Sequence, residues 1–149
     1  KSCNLTVKNK DEVIYISRRD NSKKAYTNIR NISNEKECLK LFKKFHIRVI
    51  STLGLSVMEQ FNIFNNCKTL ISIHGAGLTN MIFMKSNSNI LEIRQKDDKF
   101  NNCYFSMASA LEHNYYYLNA KNTKNTEIMN ASLYLDLNFL ESKLKEILD

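Results

Sequence analysis

Short runs of β-branched and aromatic residues alternate along this chain with segments whose apolar side chains recur at helical spacing, and no proline or low-complexity linker breaks the alternation. The pattern predicts strands over 13–17, 47–51, 69–74 and 90–94, with shorter ones at 115–118 and 133–135. Between them it predicts helices over 34–46, 56–66, 78–84 and 103–112, and a closing helix carrying Leu140, Leu144 and Ile147. Strands and helices in this order pair in parallel through right-handed crossovers, so the expected fold class is α/β, a doubly wound parallel sheet. With 149 residues, 43% of them hydrophobic, there is material for one core and one domain over 1–149. Residues 1–10 fall outside the alternation and read as a linker or a remnant of a preceding domain.

The capping signals are specific. Ser56 and Glu59 have the spacing of a capping box, which accounts for Glu59 without a catalytic role, and Asn34 and Glu37 are spaced alike. Val57, Phe61 and Phe64 are expected to face the sheet. His46 and His113 close helices and read as structural, and Tyr115, Tyr116 and Tyr117 read as core and rim packing. The segment 121–130 is expected to be a flexible loop.

Composition excludes some classes. Basic residues outnumber acidic ones by 22 to 15, a net charge of +7, but the excess is scattered and forms no basic stretch interleaved with aromatics, so nucleic acid is not an expected partner. A moderately positive field suits phosphates. Cys3, Cys38, Cys67 and Cys103 are too far apart in sequence to anchor a zinc or redox pair, and no metal or other cofactor is expected. Cys38 and Cys67 read as small core residues on helices, and the separated thiols fit a reducing compartment. No apolar run reaches the roughly 20 residues of a membrane span. Three glycosylation-type triplets, beginning at Asn4, Asn31 and Asn130, carry little weight in so asparagine-rich a chain.

Ligands of open α/β sheets bind outside the carboxyl ends of the strands. Here those ends carry Ser17-Arg18-Arg19, Thr52-Leu53-Gly54, His74-Gly75-Ala76-Gly77, Arg94-Gln95 and Asn119. The third is the strongest signal. Glycine lets backbone approach a ligand closely, and a helix beginning there leaves N–H donors for a phosphate. The candidate phosphate cradle therefore comprises Gly75, Ala76, Gly77, Leu78 and Thr79, the last offering its hydroxyl. His74 is a candidate contact to a phosphate oxygen or leaving group. Arg18 or Arg19 is placed to clamp the same anion, Arg18 being the better placed to face inward. Glu92, a carboxylate inside an apolar strand, needs a partner or a solvated rim and is a candidate contact for a ribose or sugar hydroxyl.

In order and spacing, Tyr15-Ile16-Ser17-Arg18-Arg19, Leu55-Ser56-Val57-Met58-Glu59-Gln60, the string His74-Gly75-Ala76-Gly77-Leu78-Thr79-Asn80-Met81-Ile82-Phe83 and Leu91-Glu92-Ile93 resemble the carboxy-terminal region of glycosyltransferase family 61. That family includes bacterial polysaccharide enzymes, plant xylosyl- and arabinosyltransferases and animal N-acetylglucosaminyltransferases. The resemblance implies one Rossmann-like half of a GT-B type glycosyltransferase. This half binds a nucleotide-sugar donor, typically a UDP-sugar, and an amino-terminal domain supplies the acceptor side of an inverting transfer. It suggests a saccharide acceptor, bacterial polysaccharide biosynthesis, and a cytoplasmic place, peripheral at the inner membrane face. The alternative is a non-catalytic Rossmann-like module that uses the same turn for a nucleotide or phosphate.

Overall fold

The computed structural model describes residues 11–18, 30–96, 98, 101–123 and 131–149. Its centre is a seven-stranded sheet: β1 (Glu12–Ile16), β2 (Asn31–Ile32), β3 (Arg48–Ile50), β4 (Cys67–Ile73), β5 (Asn89–Gln95), β6 (Asn114–Asn122) and β7 (Ser132–Tyr134). The spatial order is β2-β7-β6-β5-β4-β1-β3. All pairings are parallel except that of β6 with β7, which is antiparallel through Lys121 and Asn122. This corrects the all-parallel expectation at one edge. Six strands lie where the pattern puts them. The unforeseen seventh, β2, has only two residues and is too short to show a period of its own.

Alternation along β1 sends Tyr15 to one face and Ile14 and Ile16 to the other, and each face meets its own helices. Tyr15, Ile71, Ile73, Leu91 and Ile93 pack with Cys38 and Phe42 of α1 (Glu35–Lys44) and with Leu140, Leu144 and Ile147 of α4 (Leu137–Leu148). On the opposite face Ile14, Ile16, Leu70 and Ile90 meet three further elements. These are Phe64 of α2 (Val57–Phe64), Leu78 and Met81 of a 3-10 helix (Ala76–Phe83), and Ala108 of α3 (Cys103–Ala110). None of the described helices is long and apolar enough to cross a membrane.

Four local expectations change. Cys67 opens β4 rather than lying on a helix, and it is buried. Phe64 alone of its trio is buried; Val57 and Phe61 are exposed because the eight-residue α2 lies on the sheet through its carboxyl end only. The Ser56–Glu59 capping box forms, but Asn34 caps nothing with its side chain. It donates instead to the Leu135 carbonyl at 2.8 Å and accepts from the Leu135 amide at 3.0 Å, tying α1 to the strand edge. The loop expected over 121–130 is strand as far as Asn122, and 124–130 lie outside the described residues.

Candidate active site

The strand order fixes where a ligand can enter. After β1 come the short β2 at the far edge, then α1 and β3 on one side of β1, then α2 and β4 on its other side, so β1 and β4 are neighbours whose following elements lie to opposite sides. A crevice at the carboxyl ends of two such strands is where open α/β sheets hold ligands. Arg18 follows β1 and His74-Gly75 follow β4, so the two strongest candidates of the sequence meet there.

Arg18 donates from Nη2 to the His74 carbonyl at 3.0 Å, and Arg30, just before β2, donates from Nη1 to the same oxygen at 2.9 Å. The two guanidinium groups thus meet at one neutral acceptor, and the carboxylates of Asp98 and Glu92 are near enough to Arg30 to favour its charge. Burial, and after it the nearness of Arg30, lowers the Arg18 pKa from its ordinary value, and burial lowers that of Arg30 as well, although an arginine stays charged at neutral pH. Among the described residues no carboxylate pairs with Arg18. Arg19 lies outside the described residues, and Arg30 has no motif around it that would have flagged it in the sequence.

Gly75 takes φ 145°, a conformation that L side chains rarely adopt, and a Cβ there would stand 1.9 Å from Nη2 of Arg18. Glycine at this position is what lets the guanidinium lie on the turn. Gly77 has a different reason: its Cβ would come within 3.3 Å of the Ser72 hydroxyl and 3.4 Å of Ile16 Cδ1, so its bareness seats the 3-10 helix on the sheet. The donor set shifts accordingly. Leu78 is fully buried and gives its amide to the Gly75 carbonyl at 2.9 Å, and the Thr79 hydroxyl donates to the Ala76 carbonyl at 2.6 Å. Neither donor is available as expected, because this helix is 3-10 and its first bond closes one residue earlier than an α-helix would allow. The amides that precede the ladder are those of Gly75, Ala76 and Gly77.

His74 and Glu92 are both buried, and Nδ1 of His74 is hydrogen-bonded to Oε1 of Glu92. The Tyr115 hydroxyl donates to the other carboxylate oxygen. Both oxygens of Glu92 are thus engaged inside the protein, and it does not present itself to a sugar hydroxyl as expected; it orients His74. Tyr104 of α3 stacks edge-on against the imidazole, with ring centroids 5.0 Å apart. Among the described residues Nε2 of His74 has no hydrogen-bond partner, so the ring is held through one nitrogen and offers the other. Burial and then Glu92 raise the Tyr115 pKa, which keeps its hydroxyl a donor. Reading Tyr115 as packing missed this role, since a tyrosine in a strand gives no sign of which carboxylate lies on the neighbouring strand.

Around this centre, Glu35 in the first turn of α1 accepts from the Tyr15 hydroxyl at 2.7 Å and from Ser17 at 2.9 Å. Arg94, at the carboxyl end of β5, donates to the Asn102 side chain at 2.9 Å and to the carbonyls of Asp98 and Asn101. His113 is structural as expected, donating from Nε2 to the Met81 carbonyl at 3.0 Å. The turn Thr52-Leu53-Gly54 stays at the surface, with Leu53 exposed.

The sequence model of Glycosyltransferase 61 matches residues 1–91, a span that includes β1, Arg18, Arg30 and the whole His74–Phe83 turn and helix. The EGF domain-specific O-linked N-acetylglucosamine transferase of Drosophila melanogaster is 32% identical to this chain over 102 residues, covering 66% of the chain and 18% of that protein. The proteins of the same description from Rattus norvegicus and Mus musculus are each 31% identical over 87 residues, 55% of the chain and 16% of theirs. The chain thus spans less than a fifth of the length of these animal relatives. On the strength of a family match over more than half its length, the chain belongs to glycosyltransferase family 61.

Proposed function

We propose that this chain is the donor-binding, Rossmann-like half of a GT-B type inverting glycosyltransferase, and that it grips the diphosphate of a nucleotide-sugar at the Gly75–Gly77 turn. The observation that carries this reading is the convergence of Arg18 and Arg30 on the His74 carbonyl at the mouth of the turn. Guanidinium groups match phosphate oxygens with parallel hydrogen bonds, and backbone amides at a helix start complete such a site.

The chemistry is a direct displacement. An acceptor hydroxyl attacks the anomeric carbon of the sugar, the bond to the diphosphate breaks, and negative charge gathers on the leaving oxygen. Arg18, Arg30 and the amides of Gly75, Ala76 and Gly77 are fixed in place before that charge develops, the condition under which electrostatic stabilisation is strongest. His74, anchored by Glu92, presents Nε2 to the leaving group. The acceptor and a base come from an amino-terminal domain of the same protein. The relatives' description makes N-acetylglucosamine the sugar to try first, and the acceptor hydroxyl belongs to a saccharide or to a folded protein module.

A structure with UDP tests the assignment. The diphosphate is expected across Gly75–Gly77 within reach of Arg18; a diphosphate bound elsewhere on the chain overturns it. UDP binding without transfer from UDP-N-acetylglucosamine or any other UDP-sugar in the full-length protein identifies a non-catalytic phosphate module instead.

A further inference from the structure

A cavity of about 300 Å³ opens between one face of β6, along Tyr115, Tyr117 and Asn119, and the start of α3. Arg94, Asp98, Asn102 and Asn119 supply its polar lining, and Phe105, Tyr115 and Tyr117 its rings. Phe105 is 51% and Tyr117 56% exposed, so two large aromatic side chains of the lining stand open to solvent. Tyr115 belongs to both places: its ring walls the cavity and its hydroxyl holds the Glu92 that holds His74.

From this lining we infer that the cavity is a saccharide subsite that takes a single pyranose ring. The volume is at the lower end for ligand pockets, too small for a whole nucleotide-sugar and suited to one ring. Phe105 and Tyr115 meet edge to face, with centroids 5.4 Å apart and planes at 75°. They form a corner, and leave no parallel slot between them for a flat nucleobase. A corner of two rings covers the C–H face of a puckered sugar, while the side-chain amides and the hydroxyl of the lining suit its hydroxyl groups, and the Asp98 carboxylate, 3.9 Å from Arg94, belongs to the wall. Arg94 donates to the Asn102 side chain and to the carbonyls of Asp98 and Asn101, which fixes these residues along one wall. Among the described residues, the Asn119 amide and the Tyr117 hydroxyl have no side-chain partner and face the opening.

The assignment rests on the donor-cradle reading for its place in the reaction, but the test separates the two. In the full-length protein, Phe105→Ala, Tyr117→Ala and Asn119→Ala are compared with wild type by calorimetry. The probes are UDP, UDP-N-acetylglucosamine, and diacetylchitobiose with UDP present or absent. UDP affinity is expected to stay within about twofold, while affinity for one of the two sugar probes falls about tenfold, the loss of a well-placed aromatic contact. A fall for UDP-N-acetylglucosamine identifies the ring as the donor's, and a fall for diacetylchitobiose as the acceptor's. If wild type gains nothing from either sugar, or no variant changes either affinity, the inference is overturned. Absence of UDP binding in wild type defeats the cradle reading alone, since diacetylchitobiose still reports on the cavity. Tyr117 and Asn119 are exposed, so their variants keep the fold.

Discussion

Nη2 of Arg18 occupies the space that a Cβ on residue 75 would need: the two would be 1.9 Å apart, and only glycine leaves the guanidinium its place against the His74 carbonyl. The far end of an arginine can swing away, so the clash itself is relieved at little cost to folding. The positive φ cannot be relieved so easily. Gly75→Ala is expected to lose about 1–3 kcal/mol of stability from the backbone. It is also expected to weaken UDP binding by about tenfold or more through the displaced charge-assisted contact. Urea unfolding and calorimetry on the same sample check the pair, and a variant that binds UDP as wild type does removes Arg18 from the account.

Gly77 answers to the sheet rather than to the ligand. Its Cβ direction points at Ser72 and Ile16, so Gly77→Asp drives a carboxylate into apolar packing instead of into the cradle. Severe destabilisation is expected, with thermal unfolding as the measurement; a variant with unchanged melting that merely loses UDP would place the side chain in the cradle after all.

Glu92 anchors two buried partners at once. Glu92→Ala leaves the His74 Nδ1 and the Tyr115 hydroxyl without acceptors, each worth about 1–3 kcal/mol when stranded. Glu92→Gln keeps one acceptor and should lose about half as much or less. Chemical denaturation of both variants distinguishes this from a dispensable carboxylate, for which the two would match wild type.

Burial pushes the thiols of Cys38 and Cys67 up to about 12, with Glu35 and Glu37 adding to the effect at Cys38. The folded state therefore keeps these protons above the pH at which an unfolded chain releases them. Their contribution to stability is complete below the ordinary thiol value of 9.0 and falls as the pH rises toward about 12. Cys103 is exposed. A thiol reagent at neutral pH should modify Cys103 promptly and leave Cys38 and Cys67 untouched until denaturant is added, as peptide mapping would show. Prompt modification of Cys67 would contradict its placement in β4.

The fold was legible where periodicity is long enough to read. Six strands and the helical stripe of Cys38 and Phe42 follow from alternation alone, as does the Ser56–Glu59 box. What failed was decided by tertiary neighbours. Asn34 satisfies Leu135, a hundred residues away, in preference to its own helix. At the site, Arg18 and the glycine turn were legible as a strand end facing a strand-to-helix turn. Arg30, Tyr104 and Tyr115 were not, because each reaches His74 or Glu92 across a strand order that no local pattern encodes. Glu92 stands out in the sequence as a carboxylate inside an apolar strand, but its partners belong to the two neighbouring strands, His74 just after β4 and Tyr115 on β6.

The central claim is that Arg18 and the Gly75 turn grip a nucleoside diphosphate, and calorimetry with UDP on the full-length protein, wild type against Arg18→Ala, tests it most directly. Arg30 keeps its own bond to the His74 carbonyl, so the variant should fold normally. The account predicts UDP binding by wild type and a loss of about tenfold or more in the variant, the worth of one charge-assisted contact. No binding by well-folded wild type, or equal binding by both, would contradict it.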